Sequence, residues 1–157
     1  MRRICLLSGF LLLMILPALA GHSPPKIFLR VYVQTAGEGL PASQATTIAL
    51  PPNGETIMIR TLPEVTEHEL IDVKPETSGG IRLFFNHQGQ VALSAVTAEN
   101  EGRVMVVMVN GLIIYDPVID EQITDGQLVI PHPPPNPLLL QLLQEAAQKN
   151  VQQASRP

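Results

Sequence analysis

Four histidines are the side chains in this chain best suited to hold a metal ion or to move a proton. They stand at His22, His68, His87 and His132, too far apart for a His-x-x-x-His motif or a Glu-linked zinc motif. His68 lies among acidic residues, and His132 lies between two prolines. The spacing therefore predicts no metal site.

Nucleophilic catalysis and phosphate binding have equally little support in the sequence. A serine nucleophile needs a neighbouring base and an orienting acid, and Ser43, Ser78 and Ser94 lie in no recognisable nucleophile elbow. Gly89 and Gly102 are too far apart to form a phosphate loop, and no Lys-Ser or Lys-Thr step follows them. We therefore predict no catalytic residue, no bound cofactor and no enzymatic activity.

The densest group of acidic side chains consists of Asp116, Asp120, Glu121 and Asp125. Carboxylate oxygens can bind calcium, but the spacing of these four does not match an EF-hand loop. We interpret the group as a solvated acidic edge. It lies between two predicted strands, so the elements around it decide what it faces.

Composition excludes several classes of protein. Charged residues make up only 15% of the 157 residues and aromatic residues 4%, while apolar residues reach 45%, which favours a folded domain over disorder. Acidic side chains outnumber basic ones by 14 to 10. Nucleic acid is therefore not an expected partner, because an acidic protein repels phosphates.

The amino terminus has the pattern of a secretory signal. Arg2 and Arg3 precede an apolar run over 4–16, and Ala18-Leu19-Ala20 has the small-x-small pattern of a cleavage site. The run is short for a membrane span. We predict that residues 1–20 are a cleaved signal peptide and that the mature chain is periplasmic or extracellular, without a transmembrane span. An uncleaved amino-terminal anchor is the alternative.

Residues 21–63 are predicted to form a small β-rich lobe. A strand is expected over 27–33, followed by a hairpin of two strands over 46–50 and 56–62. Pro51-Pro52-Asn53-Gly54 supplies the turn, because an Asn-Gly step favours the backbone of a tight hairpin.

Residues 64–147 are predicted to form a second, α+β unit, and 148–157 a flexible polar tail. Strands are expected over 81–85, 104–109, 112–115 and 127–130, with helices over 88–100 and from Asn136-Pro137 onward. The first helix shows an apolar stripe at Val91, Ala92, Ala95 and Val96. The predicted architecture is a two-layer sandwich of a mixed or antiparallel sheet with two helices.

The strand over 104–109, Val-Met-Val-Val-Met-Val, is apolar at every position. Such a strand must be covered on both faces, whereas a two-layer sheet covers only one. The β-rich lobe, another copy of the chain or a bound peptide could cover the second face. Met105 and Met108 could give an adaptable binding surface, but on this strand we interpret them as core residues.

A set of ordered motifs over about 65–145 resembles the head subdomain of the first periplasmic domain of the SecD family, the SecDF protein-export proteins. The motifs are Gly80-Ile81-Arg82-Leu83-Phe84-Phe85, then Gly89, Thr97, Asn100, Gly102-Arg103 and the apolar strand, then Gly111, Pro117-Val118-Ile119, Ile123 and Gly126. The resemblance implies a domain that contacts translocating polypeptide outside the membrane and has no active site. SecD proteins also carry several membrane spans, whereas only a signal peptide is predicted here, so the chain would be a stand-alone secreted head.

Two kinds of function follow as hypotheses. The first is a non-enzymatic binding module that receives a polypeptide, an exported chain or a translocase component, by strand addition to an apolar face or a strand edge. The alternative is a structural, self-assembling envelope protein, a homo-oligomer whose copies cover each other's apolar strand.

Overall fold

The computed structural model describes residues 26–37, 39, 41–134 and 136–156, so the predicted signal segment over 1–20 lies outside the described residues. The strands and helices of the described part are β1 (Leu29–Val33), β2 (Ala45–Leu50), β3 (Glu55–Arg60), β4 (Val65–Thr66), β5 (Leu70–Pro75), β6 (Ile81–Phe85), α1 (His87–Glu99), β7 (Met105–Val109), β8 (Leu112–Tyr115), β9 (Gln127–Ile130) and α2 (Leu138–Ala154). Helices combined with antiparallel strands confirm the predicted α+β class. Neither α1 nor α2 has the length and hydropathy of a membrane-spanning helix.

The strands form three antiparallel sheets rather than one. The first has the order β4-β1-β7-β8, the second β5-β6-β9, and the third is the β2-β3 hairpin. β1 pairs along its whole length with β7, from Leu29 opposite Val109 to Val33 opposite Met105. The first predicted strand, from the β-rich lobe, thus pairs with a strand of the unit predicted over 64–147. Strand pairing therefore crosses the predicted boundary at residue 63.

One apolar core joins the four-stranded and three-stranded sheets to both helices. It is lined by side chains of alternate strand positions, among them Val31, Leu83 and Val107, and by Leu93 of α1 and Leu143 of α2. Period-two alternation in the strands produces this arrangement, because successive side chains of a strand point to opposite faces. The core therefore extends across the whole α+β unit.

The β2-β3 hairpin covers the second face of β7. Leu50, Ile57 and Ile59 of the hairpin form a separate apolar cluster with Val106, whose side chain is 0% exposed. The predicted cover on both faces of the 104–109 strand is confirmed. Met105 is a core residue, and Met108 is partly buried against the cluster beneath the hairpin. Of the three covers that the sequence left open, the chain's own hairpin occupies this face.

The buried face of α1 differs from the predicted stripe. Val91 and Ala95 are exposed, whereas Gly89, Leu93, Val96 and Thr97 are buried. Thr97 is accommodated because its hydroxyl donates to the Leu93 carbonyl oxygen at 2.7 Å and accepts from the backbone N–H of Ile123 at 2.9 Å. Ala92 and Val96 of the predicted stripe do pack on the core, but the buried face is rotated toward Leu93 and Thr97, and the stripe passed over both of these residues.

Helix α2 continues through Ala154, past residue 148 where the polar tail was expected to begin. The Asn150 side chain donates to the backbone carbonyl oxygens of Glu67 and Leu70, at 2.6 and 2.8 Å. Gln144 likewise donates to the Val73 carbonyl oxygen at 3.0 Å. Polar side chains on both sides of residue 148 therefore attach the helix to β5 and to the turn before it, a role that an apolar-stripe argument does not detect.

Candidate functional site

The acidic segment, residues 116–125 with four carboxylate side chains, borders a cleft of about 450 Å³ between the edges of two sheets. One wall is formed by Tyr115 at the end of β8 and by residues 117–119 after it, and the other wall by β9. The cleft also has an apolar floor, formed by the half-buried Pro117 and Ile123 together with the exposed Val118 and Val129. The volume lies in the range of about 300–1,000 Å³ that is common for ligand sites.

On one wall, the open backbone edge is that of β9, the outer strand of the β5-β6-β9 sheet. The Phe85 N–H donates to the Gly126 carbonyl oxygen, and Leu83 pairs with Leu128 two residues further along. Hydrogen-bonded and non-hydrogen-bonded pairs alternate along an antiparallel ladder. Val129, paired with Arg82, therefore points its N–H and C=O groups away from β6, on the open side of the strand.

The opposite wall has the same property at Val118. The Ile119 N–H donates to the Arg103 carbonyl oxygen and the Met105 N–H donates to the Pro117 carbonyl oxygen, so these bonds flank the bridge between Val104 and Val118. In this geometry the N–H and C=O of Val118 point away from β7. Two backbone edges from different sheets thus border one cleft, and both carry an exposed valine side chain.

Negative charge dominates the described lining of the cleft. Asp120, Glu121 and Asp125 stand at its rim and are exposed, while Arg82 is the cation that lines it. The Arg82 guanidinium is already engaged: its Nε lies 2.6 Å from Glu76 Oε1, and its Nη1 donates to Gln127 Oε1 at 2.9 Å. The three rim carboxylates thus set the charge that an incoming group meets.

The pKa of the Tyr115 phenol is affected by burial first and by the acidic side chains near this cleft second. Burial of the half-buried ring, followed by the charges of Asp120 and Asp116, raises the pKa of the Tyr115 phenol above its ordinary value of 10.0. Both causes act in the same direction, because the phenolate is the charged form and these carboxylates carry the same sign. The phenol is therefore neutral and able to donate a hydrogen bond at any physiological pH.

We expect Tyr115 to titrate above pH 10.0 in the folded protein, as read from phenolate absorbance in a Tyr32→Phe background. Because the pKa is raised on folding, the stability linked to this group is present below the unfolded pKa and is lost as the pH rises through the folded one. Asp116→Asn and Asp120→Asn together should move the titration downward. If the double variant titrates at the same midpoint as the native protein, burial alone raises the pKa of the phenol and the two carboxylates exert no field on it.

Within the described part of the chain, the other residues considered in the sequence do not form a chemical site. His68, His87 and His132 are exposed, and His22 lies outside the described residues. Over residues 26–37, 39, 41–134 and 136–156 no three His, Cys, Asp or Glu side chains are grouped so as to hold a metal ion. Ser94 accepts a hydrogen bond from Gln122, and Gly89 lies in the first turn of α1 against Phe85 and Glu69, where a Cβ would come within 2.9 Å of both side chains. The spacing of the acidic residues predicts a solvated edge but not the cleft that this edge borders.

Comparison with known proteins supports the fold alone. No protein-family model matches the chain, and no curated protein matches it. Among solved structures, one describing a membrane component, SecDF, that enhances protein export superposes with a TM-score of 0.56 at 17% identity, covering 80% of this chain and 63% of that chain. A crystal structure of SecDF in a super-membrane-facing form gives a TM-score of 0.55 at 18% identity, covering 77% of this chain and 18% of that one. The chain thus spans less than two thirds of the length of either structure, and the predicted resemblance to SecD is confirmed for the fold.

Proposed function

We propose that this protein is a non-enzymatic, exported polypeptide-binding module that receives an extended chain in the cleft between β8 and β9. The observation that carries the proposal is the pair of backbone edges, at Val118 and Val129, which face away from their own sheets beside an apolar floor. An extended segment entering there can add as a strand, with main-chain hydrogen bonds supplying affinity. This is binding chemistry that requires no catalytic group.

The docking surface that we propose is this cleft and not the apolar face of β7. The β2-β3 hairpin already covers that face, so neither a bound peptide nor a second copy of the chain is needed to bury Val106. The physical reason for the homo-oligomer of the alternative hypothesis was an uncovered apolar strand, and the hairpin removes that reason. A strand edge remains as the feature that favours a partner.

A role accessory to protein export is the biological context that we propose. The support is the fold shared with SecDF, a membrane component described as enhancing protein export, together with the amino-terminal signal pattern over 1–20. In that context the chain acts outside the membrane, in the periplasm or at the cell exterior. Its ligand is an exported polypeptide before folding or a component of the translocase.

Site-specific photocrosslinking tests the cleft directly. A photoreactive phenylalanine analogue replaces Val129 at the cleft edge or, as the matched control, Val151 on α2, since both valines are partly exposed. The probe is a fluorescently labelled polypeptide, offered either unfolded by reduction and carboxymethylation or in its native disulfide-bonded form. We expect crosslinks at position 129 to the unfolded probe, and few at position 151 or to the native probe.

Two outcomes would contradict the proposal. Equal labelling at positions 129 and 151 would mean that contact is nonspecific, and crosslinks only between copies of the protein, with a dimeric mass by light scattering, would favour self-assembly. The export context has its own test, namely the same crosslinking in cells. If position 129 captures neither exported chains nor translocase subunits there, the export role is wrong even when the purified cleft binds polypeptide.

A further inference from the structure

We infer that the cleft between β8 and β9 selects extended polypeptide segments in which lysine or arginine alternates with apolar residues. This inference rests on the proposed function and names the class of polypeptide that the same site takes. Its basis is the joint placement of an apolar floor, an acidic rim and an aromatic wall along two open strand edges.

Charge complementarity gives the sign of the preference. Asp120, Glu121 and Asp125 present three carboxylates at the rim, and Arg82 is paired with Glu76 and bonded to Gln127. An acidic peptide entering the cleft would bring its negative charges close to the rim carboxylates, whereas a cationic peptide would meet opposite charges. Complementary charges raise both the specificity and the rate of association, and like charges suppress the wrong partner.

Tyr115 adds a second feature that favours a cation. Its half-buried ring lines the same cleft as the three rim carboxylates. A lysine or arginine head placed over an aromatic face is attracted by the ring quadrupole, and arginine makes this contact more often. An acidic or neutral polar side chain gains nothing comparable from the ring.

Strand geometry specifies the alternation. In an added strand, successive side chains point to opposite sides, so every second residue can contact the apolar floor while the others remain in water near the rim. Apolar residues suit the first set and cationic residues the second. A run of charge without apolar residues would leave the floor unfilled.

Three labelled nine-residue peptides test the inference with the purified full chain. In each, valine alternates with lysine, glutamine or glutamate, and the ends are capped so that the peptides differ only in side-chain charge. Binding is followed by fluorescence anisotropy at low and at high salt. We expect the lysine peptide to bind at least tenfold more tightly than the glutamate peptide at low salt, with the glutamine peptide between them and the difference reduced by salt.

The matched protein variant carries Asp120→Asn, Glu121→Gln and Asp125→Asn. Because all three side chains are exposed, the variant should fold as the native chain does and lose most of the difference between the peptides. Equal affinity of the native protein for all three peptides would overturn the charge preference and leave the proposed function standing. If none of the peptides binds while the circular dichroism shows a folded protein, the strand-addition function itself is wrong.

Discussion

Val106→Asp is expected to abolish the folded state. The Val106 side chain is 0% exposed and lies among Leu50, Ile57 and Ile59 of the covering hairpin. Burial shifts the pKa of a carboxyl group by up to about 3–5 units, which corresponds to roughly 4–7 kcal/mol at 1.36 kcal/mol per unit. That loss is comparable with the entire stability of about 5–15 kcal/mol of a typical domain. Urea denaturation followed by circular dichroism measures it.

The same substitution at an exposed valine supplies the control. Val91 lies on α1 with its side chain 54% exposed, so Val91→Asp should change the free energy of unfolding by no more than about 0.5 kcal/mol. The comparison tests the position of the hairpin as well as the core. A folded Val106→Asp protein would mean that the hairpin leaves this face of β7 open, and the strand would again be a candidate docking surface.

Local patterns were enough to predict most of the individual elements. The strands over 81–85, 112–115 and 127–130 have the bounds that the sequence predicts, and Asn110-Gly111 forms the expected turn with both residues at positive φ. These features depend on residues close together in the chain. The conformation of a two-residue turn and the alternation of a strand can be read without knowing the rest of the fold.

Long-range relations were not accessible in the same way. An all-apolar strand predicts that something covers both faces of β7, but the sequence does not say that the β2-β3 hairpin, some fifty residues earlier, is the cover. The pairing of β1 with β7 is similarly distant, and so the boundary at residue 63 divides strands that belong to one sheet. Such contacts depend on how the elements pack, which local propensity does not encode.

The candidate site shows the same limit. Asp120 and Asp125 were recognised as part of an acidic segment, and a solvated edge was the natural interpretation of their spacing. The signal that was missed is the short separation of Val118 and Val129, two strand positions joined by that acidic segment. Only the structure shows that these strands belong to different sheets, with a cleft between their open edges.

Val129→Pro is the second variant with a large expected effect, here on polypeptide binding. Proline removes the N–H that points to the open side of β9 and places its ring where an added strand would approach. The ladder to β6 is retained, because Leu128 and Ile130 form its hydrogen-bonded pairs and proline is tolerated on edge strands whose N–H faces outward. We expect affinity for the lysine peptide to fall at least tenfold.

Val129→Ala distinguishes the contribution of the backbone to binding from that of the side chain, since it removes the valine side chain beyond Cβ and keeps the N–H. Under strand addition it should bind within a few fold of the native protein, while Val129→Pro does not. Val118→Pro applies the same test to the opposite wall, because its N–H also points away from its own sheet. If both proline variants fold and bind as the native chain does, polypeptide is not held by backbone pairing at these edges. Loss of binding in Val129→Ala as well would assign the affinity to apolar side-chain contacts instead.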